Sequence, residues 1–308
     1  MNILVTGGAG FIASHIVDAY IAAGHSVTII DNLSTGKLTN LNSKARFYQM
    51  DIREFTIDQV FNEGSFDVVN HHAAQMDVRK SVLDPIFDSS INILGTLNIL
   101  ENCKRCGVKN IIFASTGGAV YGEQDYFPAD ESHPQRPLSP YGITKQSVEK
   151  YLFYYDQIWG IRSTILRYAN VYGPRQNPHG EAGVVAIFGK KMLANESVTI
   201  NGDGEQTRDY VYVGDVVKAN LKALEQKTSD VFNIGTGIET TVNQIFTVIE
   251  SILGSKGHNI HVPAKEGEQR RSVISAEKAM KTLGWKPTVT FQEGLESTVT
   301  YFKNNPLA

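Results

Sequence analysis

Of the thirteen tyrosines in this 308-residue chain, only Tyr141 has a lysine four residues on, Lys145. Residues i and i+4 share one face of a helix, so a phenol and an ammonium project together, one turn apart. Upstream, Ser115 and Thr116 place hydroxyls at the end of an apolar run. A tyrosine, a lysine and a hydroxyl suit the removal of a proton from an alcohol. Free tyrosine has a pKa of about 10, so a base near neutrality needs it lowered by about three units, or about 4 kcal/mol. A neighbouring cation supplies that by stabilising the phenolate, and a hydroxyl can bridge the phenol and the substrate. A surface tyrosine beside a surface lysine is the plainer meaning of such spacing. Position argues against it. Ser139-Pro140 reads as a helix start, with serine as N-cap and proline first, so the pair opens the helix after the hydroxyl-bearing strand end.

The second chemical signal is the first turn of the chain. Ile3 to Val5 reads as a buried strand, Gly7, Gly8 and Gly10 follow, and Phe11, Ile12, Ile16, Val17 and Tyr20 recur at helical spacing. Strand, glycine turn and helix form the context of a dinucleotide fingerprint. Gly7 and Gly8 allow the tight turn, Gly10 lets backbone approach a pyrophosphate, and Ala13 is small enough for the helix to sit close on the sheet. The helix N-terminus offers free N–H groups and a partial positive charge. A second strand, Ser26 to Ile30, ends in Asp31, where a carboxylate can bind ribose hydroxyls. That acid would repel a 2′-phosphate, and no arginine lies among Asn32, Leu33, Ser34, Thr35 and Gly36, so NAD is favoured over NADP. Phenol, lysine, hydroxyl and NAD together suggest proton removal coupled to hydride transfer, with no metal needed.

The elements that position these groups alternate as strands and helices. Arg46 to Met50 reads as a third strand, followed by Asp51-Ile52, a pair that could border an adenine ring, although Asp51 also suits a helix cap. Phe66 to Asn70 is a fourth strand, ending in His71-His72-Ala73-Ala74-Gln75. Adjacent histidines cannot share a strand face, which disfavours a paired metal site. The small Ala73 and Ala74 stand where a nicotinamide ribose needs room. One long helix is expected from there to Cys106, then a fifth strand from Asn110 to Ala114 and a sixth from Ile161 to Tyr168. Ser115 and Thr116 thus reach the C-terminal sheet edge, where open α/β sheets bind ligands. Beyond Arg175 the texture changes. The sequence predicts a helix over Val184 to Leu193, a hairpin about Asn201-Gly202-Asp203-Gly204, and a helix capped by Gly214-Asp215. Val231 to Ile234 could rejoin the first sheet. The expectation is a Rossmann-type, doubly wound parallel sheet over 1–168 and about 211–236. A smaller α+β unit, about 169–210 and 237–308, is interleaved with it.

Composition narrows the class. Net charge is -3, with ordinary hydrophobic and charged fractions, so there is no basic field for nucleic acid or anionic membrane. No apolar run approaches a transmembrane length and the N-terminus lacks a charged n-region, so a cytoplasmic chain is expected. Cys103 and Cys106 form a lone C-x-x-C late in a helix, read as two reduced cysteines.

With these residues in view, the chain resembles the extended short-chain dehydrogenase/reductases, and among them the UDP-glucose 4-epimerases. The likeness rests on Thr6-Gly7-Gly8-Ala9-Gly10-Phe11-Ile12, Asp31-Asn32-Leu33-Ser34-Thr35-Gly36, Ala73-Ala74-Gln75, Ser115-Thr116, Tyr141-x-x-x-Lys145, Tyr172-Gly173-Pro174-Arg175, and Gly202-Asp203-Gly204 through Arg208-Asp209-Tyr210. It implies NAD contacts from those first three stretches, with Asp51, Ile52, Tyr141 and Lys145. It implies that Asn170, Arg208 and Tyr210 hold the diphosphate and nucleoside, with Val184, Thr199 and Ile200 near the base and Glu268 near a ribose. Three departures stand out. Ala13 replaces a glycine, Gly117-Gly118 lengthens the segment after Thr116, and Lys265 stands where a phosphate-binding arginine is usual, weakening bidentate recognition.

The resemblance implies C4 epimerisation of a UDP-hexose through a transient 4-keto sugar, with Thr116 or Ser115 bridging Tyr141 and the substrate. Related dehydratases and decarboxylases carry an acid shortly after the active-site threonine, whereas Gly117, Gly118 and Ala119 are not acidic. A non-catalytic NAD-binding sensor is the reading from another class, and retention of both Tyr141 and Lys145 opposes it. In the family a side chain at the position of Ser272 borders the sugar's 2-substituent, so serine implies room for N-acetylated sugars as well as UDP-glucose and UDP-galactose. Apolar residues around much of the Ile91–Leu100 and Val148–Trp159 helices, with the family's four-helix contact, imply a homodimer.

Overall fold

A computed structural model describes residues 1–178, 183–254, 257–264 and 269–306. The first half alternates strand and helix. β1 (Asn2–Thr6) leads into α1 (Phe11–Ala22), followed by β2 (Ser26–Asp31), β3 (Arg46–Gln49), α2 (Ile57–Gly64) and β4 (Val68–His71). Then come α3 (Val78–Leu83), α4 (Pro85–Ser89), a π-helical turn (Ser90–Gly95) and α5 (Thr96–Cys106). β5 (Asn110–Thr116), α6 (Gly117–Val120), α7 (Pro140–Trp159) and β6 (Arg162–Tyr168) complete this half. The second half contains β7 (Asn170–Tyr172), α8 (Val184–Leu193), β8 (Val198–Asn201), β9 (Thr207–Tyr212), α9 (Val213–Ala223) and β10 (Asp230–Ile234). It ends with β11 (Glu239–Thr241), α10 (Val242–Leu253), β12 (Asn259–Val262), β13 (Arg271–Ser272), a second π turn (Ala279–Leu283) and α11 (Phe291–Asn304).

Seven strands form one parallel sheet in the order β10-β6-β5-β4-β1-β2-β3. Parallel strands covered on both faces read as continuous apolar runs, and Ile3, Leu4 and Val5 are all buried. One core, on the α1 and α9 face, holds Ile16, Tyr20, Val216 and Phe232. The other, under α2, α5 and α7, holds Phe61, Leu100, Val148 and Leu152. Strand order reverses between β1 and β4, and ligands bind outside the carboxyl ends of the strands at such a reversal. The smaller unit has its own core about Phe188, Ile200, Phe246 and Val299. Its β9 pairs with β7, β11 and β13. The chain crosses back once more near its end. Ala276, Ala279, Leu283 and Trp285 pack into the α1/α9 core, and Trp285 Nε1 donates to Asp215 O at 2.8 Å.

Several local expectations are corrected. The long helix to Cys106 is broken, because Pro85 has no N–H to continue α3 and Asp84 instead caps α4, accepting from Phe87 N at 2.9 Å. The hairpin does not form. The chain turns at Gly202 and Gly204, both at positive φ, but β8 pairs in parallel with β12 while β9 joins a different sheet. Gly214 and Asp215 lie inside the first turn of α9, which begins at Val213. The buried Asp215 carboxylate accepts from Thr288 N and Val289 N, so it ties the C-terminal segment down.

Candidate functional site

The glycine turn is a cradle that any side chain would fill. Gly7 has φ +72°, and a Cβ there would lie 2.8 Å from Ala73 N; one on Gly10 would lie 3.0 Å from Gly7 O. Gly10 precedes α1 in extended conformation, with no side-chain cap and no acid in the first turn, so the first N–H groups face outward for an anion. Thr6 Oγ1 accepts from Ala73 N at 3.1 Å, which sets β1 and the Ala73–Gln75 loop at a fixed spacing. Asp31 closes the far end. Its carboxylate accepts from Ala9 N (3.0 Å) and Leu33 N (2.8 Å), and burial raises its pKa. A Cβ on Gly36 would lie 3.0 Å from both Asp31 oxygens. Asn32 Nδ2 donates to Asp51 Oδ2 at 2.9 Å, and Arg53 holds the Asp51 carboxyl down to about 2. Ser34 and Thr35 are exposed at the rim, Phe11 and Ile12 are half-buried on α1, and Ile52 is buried. Gln75 turns inward, its Nε2 donating to Asp77 O and Asp88 Oδ1. These groups fit a dinucleotide: backbone donors at the turn and a carboxylate one strand over.

The phenol and ammonium sit on the next stretch of the same edge. Ser139 Oγ accepts from Gly142 N at 3.1 Å and Pro140 is first in α7, so the helix starts where sequence places it. Lys145 is buried (4 % exposed), its Nζ donating to Ala114 O at 2.9 Å and lying 5.9 Å from the Tyr141 ring centroid. Burial brings its pKa down to about 8, against the opposing pull of Asp88 and Glu149. Ser115 and Thr116 point to opposite sides of β5. Ser115 Oγ is buried and donates to Glu149 Oε1 at 2.6 Å, away from the opening. Thr116 Oγ1 and Asn170 Oδ1 flank Gly118, at 3.9 and 3.5 Å from where its Cβ would stand. Gly117 and Gly118 form the first turn of α6; Gly117 packs close on Ile274, and it is the missing side chain of Gly118 that leaves room between Thr116 and Asn170.

The smaller unit brings its residues up in pairs. Asn170 stands opposite Tyr210 across the β7–β9 ladder, and Arg208 opposite Ser272 across β9–β13. Arg208 Nη1 donates to the carbonyl of Thr207 at 2.7 Å. Val184 opens α8. Thr199 is exposed, but Ile200 is buried in the third core, so it can offer a ligand only its backbone. Lys265 and Glu268 lie outside the described residues. Among the described residues, no group of three or more His, Cys, Asp or Glu could hold a metal ion, and no helix is long and apolar enough to cross a membrane.

Sequence reasoning passed over two supporting groups. Glu149, one turn beyond Lys145, pairs with the buried Arg167 at 2.5 Å, and Arg167 Nη1 donates to Tyr121 OH at 2.9 Å. That pair borders a hollow of about 1200 Å³ on the far side of α7, which none of the predicted site residues lines. The other group is Asp88 with Asn92 and Thr144. Polar residues at 88, 92 and 96, spaced by four along a helical stretch, were the available signal.

A doubly wound sheet, a glycine cradle at its reversal and a helix-borne Tyr–Lys pair beside a strand-end hydroxyl define a dinucleotide-dependent enzyme of the short-chain dehydrogenase/reductase type. The chain belongs to the NAD dependent epimerase/dehydratase family, whose model matches residues 3–235. A curated relative from Methanocaldococcus jannaschii, a putative UDP-glucose 4-epimerase, is 52% identical over 303 residues, covering 98% of this chain and 99% of that one. The UDP-glucose 4-epimerase of Thermotoga maritima, solved with UDP-glucose, superposes with a TM-score of 0.98 at 50% identity, covering 99% of this chain and all of the other. The Thermus thermophilus UDP-glucose 4-epimerase, solved with NAD, gives 0.94 at 44% identity, with 98% and 99% covered.

Proposed function

We propose that this chain interconverts UDP-hexoses at C4 with NAD, in the cytoplasm. The observation that carries the reading is Lys145, buried one turn from Tyr141 with its Nζ 5.9 Å from the phenol ring centroid, where its charge can stabilise a phenolate. Residues 1–168 and about 211–236 serve the cofactor; about 169–210 and 237–308 serve the nucleotide sugar. Gly7, Gly10, Asp31 and the Ala73–Gln75 loop would hold the dinucleotide. Held there, NAD would supply the reversible hydride exchange at C4 that inverting the centre through a 4-keto sugar requires. Tyr141 accepts the 4-hydroxyl proton and gives it back, while Lys145 stabilises the phenolate. Thr116, not Ser115, bridges phenol and substrate, because the Ser115 hydroxyl is committed to Glu149. Asn170, Arg208 and Tyr210 hold the diphosphate and nucleoside, a guanidinium being suited to phosphate oxygens.

The test is incubation with UDP-galactose, product identification by NMR, and absorbance at the reduced-cofactor band. UDP-glucose should form without net NADH. Tyr141→Phe should lose on the order of 10²-fold or more in kcat while retaining fold and cofactor, as expected for a general base. Accumulating NADH would make the chain a dehydrogenase, and full activity in Tyr141→Phe would remove the base assignment.

A further inference from the structure

Asp88 has a fully buried carboxylate (0 % exposed) that belongs to neither the cradle nor the Tyr141–Lys145–Thr116 set. Its partners come from three elements. Oδ2 accepts from Thr144 Oγ1 of α7 at 2.9 Å. Oδ1 accepts from Gln75 Nε2 at 2.8 Å and from Asn92 Nδ2 at 3.1 Å. Asn92 tightens the same knot, since its Nδ2 also donates to Gln75 O at 3.0 Å and its Oδ1 accepts from Gln75 N at 2.9 Å. A carboxylate out of water is costly unless hydrogen bonds and an opposite charge compensate it. The hydrogen bonds are those just named, and the opposite charge is Lys145, the residue after Thr144.

We propose that Asp88 is a positioning residue, locking the turn of α7 that carries Tyr141 and Lys145 to the Ala73–Gln75 loop of the cofactor cradle. The inference rests on the epimerase reading above. It joins two halves of the site that sequence separates by about seventy residues, and no backbone ladder connects them.

Its charge acts alongside its geometry. The groups facing Lys145 are Asp88 from α4, Glu149 and Tyr141 from α7, His71 at the end of β4 and His72 just beyond it; β5 contributes the Ala114 carbonyl and the Phe113 ring. Both histidines are held neutral near pH 7, their pKa values brought down to about 3 by burial and by Lys145. Glu149 already pairs with Arg167, whereas Asp88 has no salt bridge among the described residues. Asp88 therefore supports the proton on Lys145, and removing its charge lowers the pH at which that proton leaves.

Two substitutions separate geometry from charge. In Asp88→Asn the amide oxygen can replace Oδ1, and the NH₂ can donate to Thr144 Oγ1, which then donates to Tyr141 O at 2.9 Å. Asp88→Ala removes both geometry and charge. Lys145 is followed by NMR titration of ¹³Cε-lysine, its signal assigned by loss in Lys145→Met, and kcat is measured at pH 7 and pH 9. In Asp88→Asn the Lys145 midpoint should move below that of the parent, and the ratio of kcat at pH 9 to kcat at pH 7 should fall. Asp88→Ala should lose on the order of 10²-fold in kcat with little change in KM, the scale of a misplaced catalytic group. An unmoved midpoint in Asp88→Asn, or parental kcat in Asp88→Ala, would overturn the proposal. The NMR midpoint needs no substrate. A moved midpoint in a chain that turns over no UDP-sugar would therefore sink the epimerase reading and not the electrostatic role of Asp88.

Discussion

His71 ends β4 and His72 follows it directly, and the two make different use of their rings. His71 Nδ1 lies 2.6 Å from Thr6 Oγ1 and its Nε2 2.9 Å from Thr96 Oγ1, while His72 Nε2 lies 3.1 Å from Tyr168 OH. Folded, each resists protonation down to about 3; unfolded, each takes a proton near 6.5. Between these values the unfolded chain binds more protons, so stability is full above about pH 6.5 and falls as pH drops toward 3. Each such group adds up to about 1.4 kcal/mol per pH unit to the slope. His72→Phe, which keeps the stack on Tyr168, should flatten the dependence by about one proton between pH 4 and 6, as read from denaturant midpoints. An unchanged slope would show that His72 titrates normally in the fold. Ser272 supports a second prediction. It is buried beside Arg208, and on the family likeness it borders the 2-substituent of the sugar. The parent should then turn over UDP-N-acetylgalactosamine as well as UDP-galactose. Ser272→Tyr should cut the kcat/KM ratio of the first to the second by about tenfold or more. A parent that rejects the N-acetyl sugar, or a variant that leaves the ratio alone, removes Ser272 as the gate. At this scale the readable residues were those with a local rule: Tyr141 and Lys145 by helix period, Gly7 and Gly10 by turn geometry. Asp88 escaped because its meaning depends on Thr144, fifty-six residues away in sequence.

Among the elements, α7 bears most directly on function, since one end carries the base and its middle carries Glu149. Its start is fixed by two devices, the Ser139 cap and Pro140, and by the Tyr141 N donation to Ser81 Oγ at 3.2 Å. Ser139→Ala should cost about 1 kcal/mol, the usual value of a lost N-cap, and lower Tm accordingly. Because the loosened turn is the one that holds Tyr141, kcat should fall more than KM rises. A drop in Tm with kcat intact would mean that the Asp88 knot alone holds the turn. Strands β1, β2, β4 to β6 and β10 were legible because buried parallel strands are short apolar runs between turn residues. The region from Val78 to Cys106 was legible only as helical. Its breaks depend on Pro85 and on side chains that bond their own backbone, as Thr96 Oγ1 does to Asn92 O at 2.6 Å. The absent hairpin has the same kind of cause. Gly202 and Gly204 signal that the chain turns, but not which strand it meets, and β8 finds β12 from sixty-one residues away.

At the scale of the whole molecule, the side of the sheet carrying α3 to α5 and α7 is unlike the rest of the surface. Leu83 and Ile86 are 85 % and 82 % exposed, and Val82 and Leu94 are also open. On α7, Phe153 is 66 % exposed, with Tyr154, Ile158 and Trp159 beside it. Monomeric proteins seldom leave so many large apolar groups together in water. Two neighbouring helical segments that share an apolar face can meet their own copies across a twofold axis, which closes the patch with no surface left over. A specific interface of that kind buries on the order of 1,600 Å² in total. The expected state is therefore a homodimer, with sedimentation velocity at micromolar concentration giving twice the mass of the 34.0 kDa chain. Leu83→Lys combined with Phe153→Lys places four like charges in a symmetric contact and should yield a monomer. Both positions are exposed, so the fold should survive, as circular dichroism would report. A monomeric parent would refute the interface. A dimer unaffected by both lysines would locate it elsewhere. The position of this face also bears on the site. Its α7 half is continuous with the helix that holds Tyr141, so a monomeric variant with reduced kcat but normal cofactor binding would mean that the partner helix steadies the base.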